Sequence, residues 1–183
     1  IGIDTLDGGA GNDQLWGEGN NDSILGGIGP DTIYGDDSYY YSTGGATGND
    51  TIDGGADNDY IYGGNGNDSI LGGAGADMIY GDDSYGSSAT GNDTIDGGAD
   101  NDQLYGGGGD DSLLGNAGAD NLYGQAGNDI LSGGLGFDIL QGGAGNDTLI
   151  ASGGDPLASA SSYSGSGDDL TGDDYSGPGA DVF

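Results

Sequence analysis

A nine-residue period holds its phase through nearly the whole chain, and it constrains the fold more than any other feature. One clear instance is Gly63-Gly64-Asn65-Gly66-Asn67-Asp68-Ser69-Ile70-Leu71. Positions one to six read as a loop whose glycines allow left-handed backbone and close approach. Positions seven to nine read as a short strand that alternates outward, inward, outward around Ile70. Residues 1–7 supply positions three to nine of a first unit, and regular units fill 8–34, 54–80 and 97–150. Units 35–53 and 81–96 insert ten residues, Ser38 to Thr47, and seven, Ser84 to Thr90, without losing the frame. Residues 151–183 continue it irregularly. With the chain framed in this way, position six is always aspartate: Asp4, Asp13, Asp22, Asp31, Asp50, Asp59, Asp68, Asp77, Asp93, Asp102, Asp111, Asp120, Asp129, Asp138, Asp147, Asp168 and Asp181. Position eight is Ile or Leu in every unit until Phe183.

Composition alone would suggest a disordered polymer, with 32 acidic residues, 47 glycines and few large apolar side chains in 183 residues. The period argues otherwise, because a repeat array needs only stacked neighbours and no globular core. The chain has no Lys, Arg, His or Cys. That excludes Ser-His-Asp, Cys-His and Ser-Lys catalysis, makes a zinc site improbable and removes the cations that nucleic-acid binding requires, so no enzyme is expected within these residues. No apolar run is long enough for a membrane span or a signal segment. Without an initiator Met, the chain is expected to be a processed or internal piece.

The pattern G-G-x-G-x-D-x-U-x, with U a large aliphatic, resembles the RTX (repeats-in-toxin, haemolysin-type) calcium-binding nonapeptide. The resemblance implies an all-β, right-handed parallel β-roll, a β-solenoid with two units per coil, two parallel sheets and loop insertions. The whole chain, 1–183, is then one domain. It also implies calcium held between each loop and the loop one coil later, so that Asp68 would share ions with Asp50 and Asp93. Calcium prefers six to eight hard oxygens at flexible distances, which carboxylates and backbone carbonyls supply. Seventeen loops paired in this way would hold up to about fifteen ions and nearly balance the formal charge of −32. One aliphatic side chain per unit is a thin core, so the metal-free chain is expected to be unfolded and ion binding to drive folding. Secretion by a bacterium in the unfolded state, through a type I system, and folding in extracellular calcium would follow.

Alternate units face opposite sheets, so position nine of every second unit lines one face: Trp16, Tyr34, Tyr62, Tyr80, Tyr105, Tyr123 and then Gln141. Successive rungs are expected at about 4.8 Å. The bland reading is a ladder that stiffens the sheet. The sharper one makes these six aromatics a contact surface for glycan or a neighbouring rod. The opposite face carries Ser and Thr at position seven beside alternating Asp and Leu, too irregular a plane for ice. Five N-x-[ST] triplets are generated by the repeat and lie in its loops, so glycosylation there is not expected. With no cap visible at either end, end-to-end stacking of copies into a fibre is a further expectation. Three functions compete. The favoured one is a calcium-folded extracellular structural module, adhesin-like or filament-forming. The alternatives are the tail of a secreted protease or lipase whose catalytic domain lies elsewhere, and a glycan-binding module using the aromatic ladder.

Overall fold

The structure, a computed structural model, describes residues 2–36, 47–82, 90–151, 159–160 and 169–172, with side chains described to residue 150. Asp168, Asp181, Phe183 and nearly all of both insertions lie outside the described residues. Among the described residues there are seventeen strands, β1 to β17 in chain order, and no helix. One sheet of nine strands takes the odd-numbered ones: β1 (Thr5–Ala10), β3 (Ser23–Ile28), β5 (Thr51–Ala56), β7 (Ser69–Ala74), β9 (Thr94–Ala99), β11 (Ser112–Ala117), β13 (Ile130–Leu135), β15 (Thr148–Ala151) and β17 (Asp169–Gly172). The other, of eight, takes the even-numbered ones: β2 (Gln14–Glu18), β4 (Thr32–Asp36), β6 (Tyr60–Gly64), β8 (Met78–Asp82), β10 (Gln103–Gly108), β12 (Asn121–Ala126), β14 (Ile139–Ala144) and β16 (Ser159–Ala160).

Every pairing is parallel, and from β1 to β15 each joins like positions of units two apart, as Ile24 with Ile52 and Tyr62 with Tyr80. Beyond Leu149 the frame needs correction: Leu140 pairs with Ala160 and Leu149 with Leu170, so Ser159–Ala160 supplies a strand between Leu149 and Leu170 that carries no large aliphatic residue to mark it in the sequence. The molecule is therefore a β-solenoid, two units to the coil, and the frame crosses both insertions without a slip: Ile33 pairs with Ile61 and Ile70 with Ile95. Position-eight residues from Ile24 to Leu149 form the core at 2 % exposure or less, and Leu6 and Leu15 pack against its first end. Because one-residue register shifts would turn this set outward, the single inward column fixes the pairing.

The strands are longer than the three residues expected. Most run five or six residues, from position seven into positions one to three of the next unit. Alternation continues through them, so the position-one glycine faces inward beside the core residue two places before it, as Ile52 and Gly54 show. A Gly-Gly pair reads as a turn by propensity, but the parallel ladder here takes up its backbone groups. The real turn begins at position two, where Gly55 has φ 107°, and position four is also left-handed, as at Gly66 with φ 130°. Asn, Asp, Gln and Glu occupy six such positions, including Asn20 and Asp100.

Candidate metal centres

The position-six aspartates form two columns, one on each edge of the solenoid. Asp4, Asp22, Asp50, Asp68, Asp93, Asp111, Asp129 and Asp147 make the first; Asp13, Asp31, Asp59, Asp77, Asp102, Asp120 and Asp138 make the second. Along each column the backbone N–H of one aspartate donates to Oδ1 of the aspartate one coil later. Asp22 donates to Asp50 at 2.8 Å, Asp68 to Asp93 at 2.9 Å and Asp102 to Asp120 at 2.9 Å. That bond holds each side chain in place. The thirteen from Asp22 to Asp147 are exposed by 3 % or less, whereas Asp13 is half-buried and Asp4, on the end coil, is exposed.

The second oxygen gives the column its chemistry. Oδ2 is buried and has no hydrogen-bond partner in Asp22, Asp31, Asp50, Asp59, Asp68, Asp77, Asp93, Asp102, Asp111, Asp120 and Asp129. It points at the position-one glycine of its own unit, beside the carbonyl of the position-one glycine one coil on. A Cβ built on Gly54 would stand 2.6 Å from Asp59 Oδ2 and 2.7 Å from the Gly72 carbonyl oxygen, and on Gly115 it would stand 2.5 Å from both Asp120 Oδ2 and the Gly133 carbonyl. Glycine is thus required at position one because carboxylate and carbonyl oxygens converge there.

Burial raises several of the interior carboxyls far above the ordinary range. It pushes Asp93 up to about 8, with the Asp68 and Asp111 carboxylates adding to it and the Asp68 N–H bond opposing. Asp59, Asp68, Asp102 and Asp111 are raised to about 7, and Asp50, Asp77 and Asp129 to about 6, in each case chiefly by burial. A buried carboxylate is costly unless a cation or proton meets it. The chain has no cationic side chain to offer. Hard oxygens in pairs, without nitrogen or sulfur, suit a hard divalent cation such as calcium. Among the described residues no three acidic side chains converge on one point, so carbonyls must furnish most of each coordination sphere.

The comparison with protein families agrees with this donor set. The family model of the RTX calcium-binding nonapeptide repeat (four copies) matches residues 1–33, 20–41, 44–79, 88–113, 105–140 and 132–155. The chain belongs to the RTX calcium-binding nonapeptide repeat family. No curated protein matches it. RTX repeats bind calcium, and their β-roll is a structural domain rather than a catalytic one. Calcium bound there would supply the positive charge that the buried aspartates lack, while the chain itself orients each carboxylate and shields it from water.

Beside the RTX columns, the aromatic rungs are stacked as expected. Ring centroids of Trp16, Tyr34, Tyr62, Tyr80, Tyr105 and Tyr123 follow one another at 6.0, 5.1, 4.9, 4.7 and 4.9 Å, within 13° of parallel. Their faces cover one another, which leaves edges and hydroxyls toward solvent. Tyr60 joins from position seven, edge-on to Tyr62 and accepting its hydroxyl hydrogen bond at 2.7 Å. A second ladder runs along the first edge at position five, where the Asn67 N–H donates to Asn49 Oδ1 at 2.9 Å and the Asn92 N–H to Asn67 Oδ1 at 2.8 Å. Those bonds engage the sequon asparagines.

Two buried acids escaped the sequence reading. Asp36 and Asp82, at position two of the units that carry insertions, are exposed by only 2 % and 7 %. The shared Gly-Asp-Asp that opens both units, at 35–37 and 81–83, was the signal that could have found them.

Proposed function

We propose that the chain is a calcium-folded structural module of a secreted, extracellular bacterial protein, adhesin-like or filament-forming. Its position-six aspartates, Asp4 to Asp147 with Asp168 and Asp181 continuing the series, are the ligands, and the solenoid of 1–183 is one domain. The observation that carries this reading is the column of buried Oδ2 atoms without hydrogen-bond partners, each beside a glycine carbonyl of the next coil. A polyanion with no basic residue cannot bury such groups stably without metal or protons. Low calcium before export and high calcium outside would then decide where the chain folds. A type I route and copies stacked end to end, with up to about fifteen ions each, complete the proposal. Any catalysis in the complete protein would reside outside this stretch.

Calcium titrated into EDTA-stripped protein, followed by far-UV circular dichroism and light scattering together, tests it. A cooperative gain of strand signal with a large rise in scattering is expected of a filament. Strand signal without scattering would restrict the function to a single module, and no response to calcium would overturn the proposal.

A further inference from the structure

Every regular unit turns at position two with a left-handed residue, from Gly9 (φ 91°) to Gly143 (φ 114°), and Glu18, Asn116 and Gln125 do so where glycine is absent. Asp36 and Asp82 do not, and their side chains turn inward instead. In a regular coil the position-two glycine meets the carbonyl of the position-two residue one coil earlier, as Gly73 meets Gly55 and Gly98 meets Gly73. In the coils after the insertions a carboxylate takes that carbonyl's place. At Gly64 a Cβ would stand 2.5 Å from Asp36 Cβ and 3.1 Å from its Oδ2, and at Gly107 2.5 Å from Asp82 Oδ2.

Each of these two dipeptides is therefore flanked by two carboxylates. Gly63-Gly64 has Asp68 Oδ2 against its first residue and Asp36 Oδ2 against its second; Gly106-Gly107 has Asp111 Oδ2 and Asp82 Oδ2. Asp68 and Asp111 are exposed by 3 % and 2 %, and their Oδ2 atoms have no hydrogen-bond partner. Asp68 lies in the repulsive field of both Asp36 and Asp82, and Asp111 in that of Asp82. The added acids also bond backbone. Asp36 Oδ2 accepts from the Gly48 N–H at 3.2 Å, where the chain re-enters the frame, and from the Asn65 N–H of the next coil at 2.9 Å; Asp82 Oδ2 accepts from the Gly108 N–H at 2.7 Å.

We propose that Asp36 and Asp82 are two further calcium ligands, Asp36 sharing an ion with Asp68 and Asp82 sharing one with Asp111, so that the base of each insertion is fastened to an ion of the column. The inference rests on the calcium reading of the position-six aspartates and adds two residues outside the nonapeptide consensus. Two carboxylates at one ion, where a regular coil directs a single Oδ2 to the same place, raise the affinity for calcium, because affinity follows ligand charge. These two sites therefore fill first, and the insertions are anchored before the rest of the column is saturated.

Equilibrium dialysis with radioactive calcium, alongside calcium-driven folding by circular dichroism, tests this on the whole chain and on Asp36→Asn, Asp82→Asn and the double variant. Asp7→Asn, on the solvent face of β1, serves as the control. Asparagine keeps an oxygen that can accept from Gly48, Asn65 and Gly108 but loses the charge. The expected result is one ion fewer in the tightest class per substitution and a folding midpoint shifted upward about tenfold each, restored by excess calcium. Unchanged binding and midpoint in both variants would overturn the inference and leave the acids as backbone clamps. Loss of strand signal that excess calcium does not restore would also overturn it in favour of clamping. Failure of the unmodified chain to bind calcium would instead overturn the proposed function itself.

Discussion

Gly54 and Gly9 stand at positions one and two of the nonapeptide, and substitution should affect them differently. An alanine at 54 would drive its Cβ into Asp59 Oδ2, the Gly72 carbonyl and Ile61 Cδ1 at 2.6, 2.7 and 3.0 Å. At Gly9 nothing lies within 4 Å, and alanine costs only the left-handed backbone, about 1 kcal/mol. Gly54→Ala should therefore raise the calcium midpoint of folding more than tenfold, and Gly9→Ala by clearly less; equal shifts in circular dichroism titrations would refute the oxygen-lined site. At this scale the sequence showed the aspartates and the aliphatic column because both are side-chain signals with a fixed spacing. It concealed the inward role of the position-one glycine, since a residue without a side chain leaves no polarity to read. It also concealed Asp36 and Asp82, which look like two more acids in an acidic loop until their burial is seen.

Stacked columns are the elements of this fold. Each interior tyrosine of the aromatic ladder stacks on two neighbours, so Tyr62→Ser should lower calcium-bound stability by about 1–3 kcal/mol, at roughly 0.5–1.5 per ring pair, as measured by thermal unfolding. The aspartate columns carry a pH dependence whose sign follows from burial. Burial raises Asp50, Asp59, Asp68, Asp77, Asp93, Asp102, Asp111 and Asp129 to between about 6 and 8 in the fold, above the ordinary carboxylate value of 3.8. The metal-free fold thus holds protons that the unfolded chain sheds, and its stability is present below about pH 4 and lost as pH rises through 6 to 8. EDTA-treated protein should show more strand signal at pH 4.5 than at pH 8, and the reverse order would contradict the buried columns. With calcium the ions displace those protons, so the calcium midpoint should rise as pH falls from 8 to 6. The ladder was legible in the sequence to within a few tenths of an ångström for its tyrosines, because parallel in-register pairing dictates rung spacing. The length of the strands was not, because position-one and position-two glycines are strand residues here only through their neighbours' hydrogen bonds.

Among the described residues the core is one inward side chain per strand, and each coil pairs with the coils above and below it. Ile61→Ala, at a fully buried rung, should cost about 2–5 kcal/mol and weaken calcium-driven folding of the coils around it, which hydrogen exchange at β4, β6 and β8 would localise. The solenoid itself was predictable because a nine-residue phase that survives two insertions has few other uses. Which face holds which column followed from counting units in pairs as far as Leu149; beyond it the count slips by one, because the strand Ser159–Ala160 has no large aliphatic residue to announce it. The strands also lie across the long axis, with β1 at one end of the stack and β16 and β17 at the other. Tension applied between the two ends does not shear the sheets. It loads one outermost coil at a time and peels it away like a turn of tape. Each detached coil of two regular units releases about 60 Å of slack. Pulled in an atomic force microscope, the rod should give a sawtooth whose steps are equal over the regular coils and longer where an insertion is released, with heights that follow calcium concentration, and so would act as a shock absorber with its stiffness set by the surrounding medium.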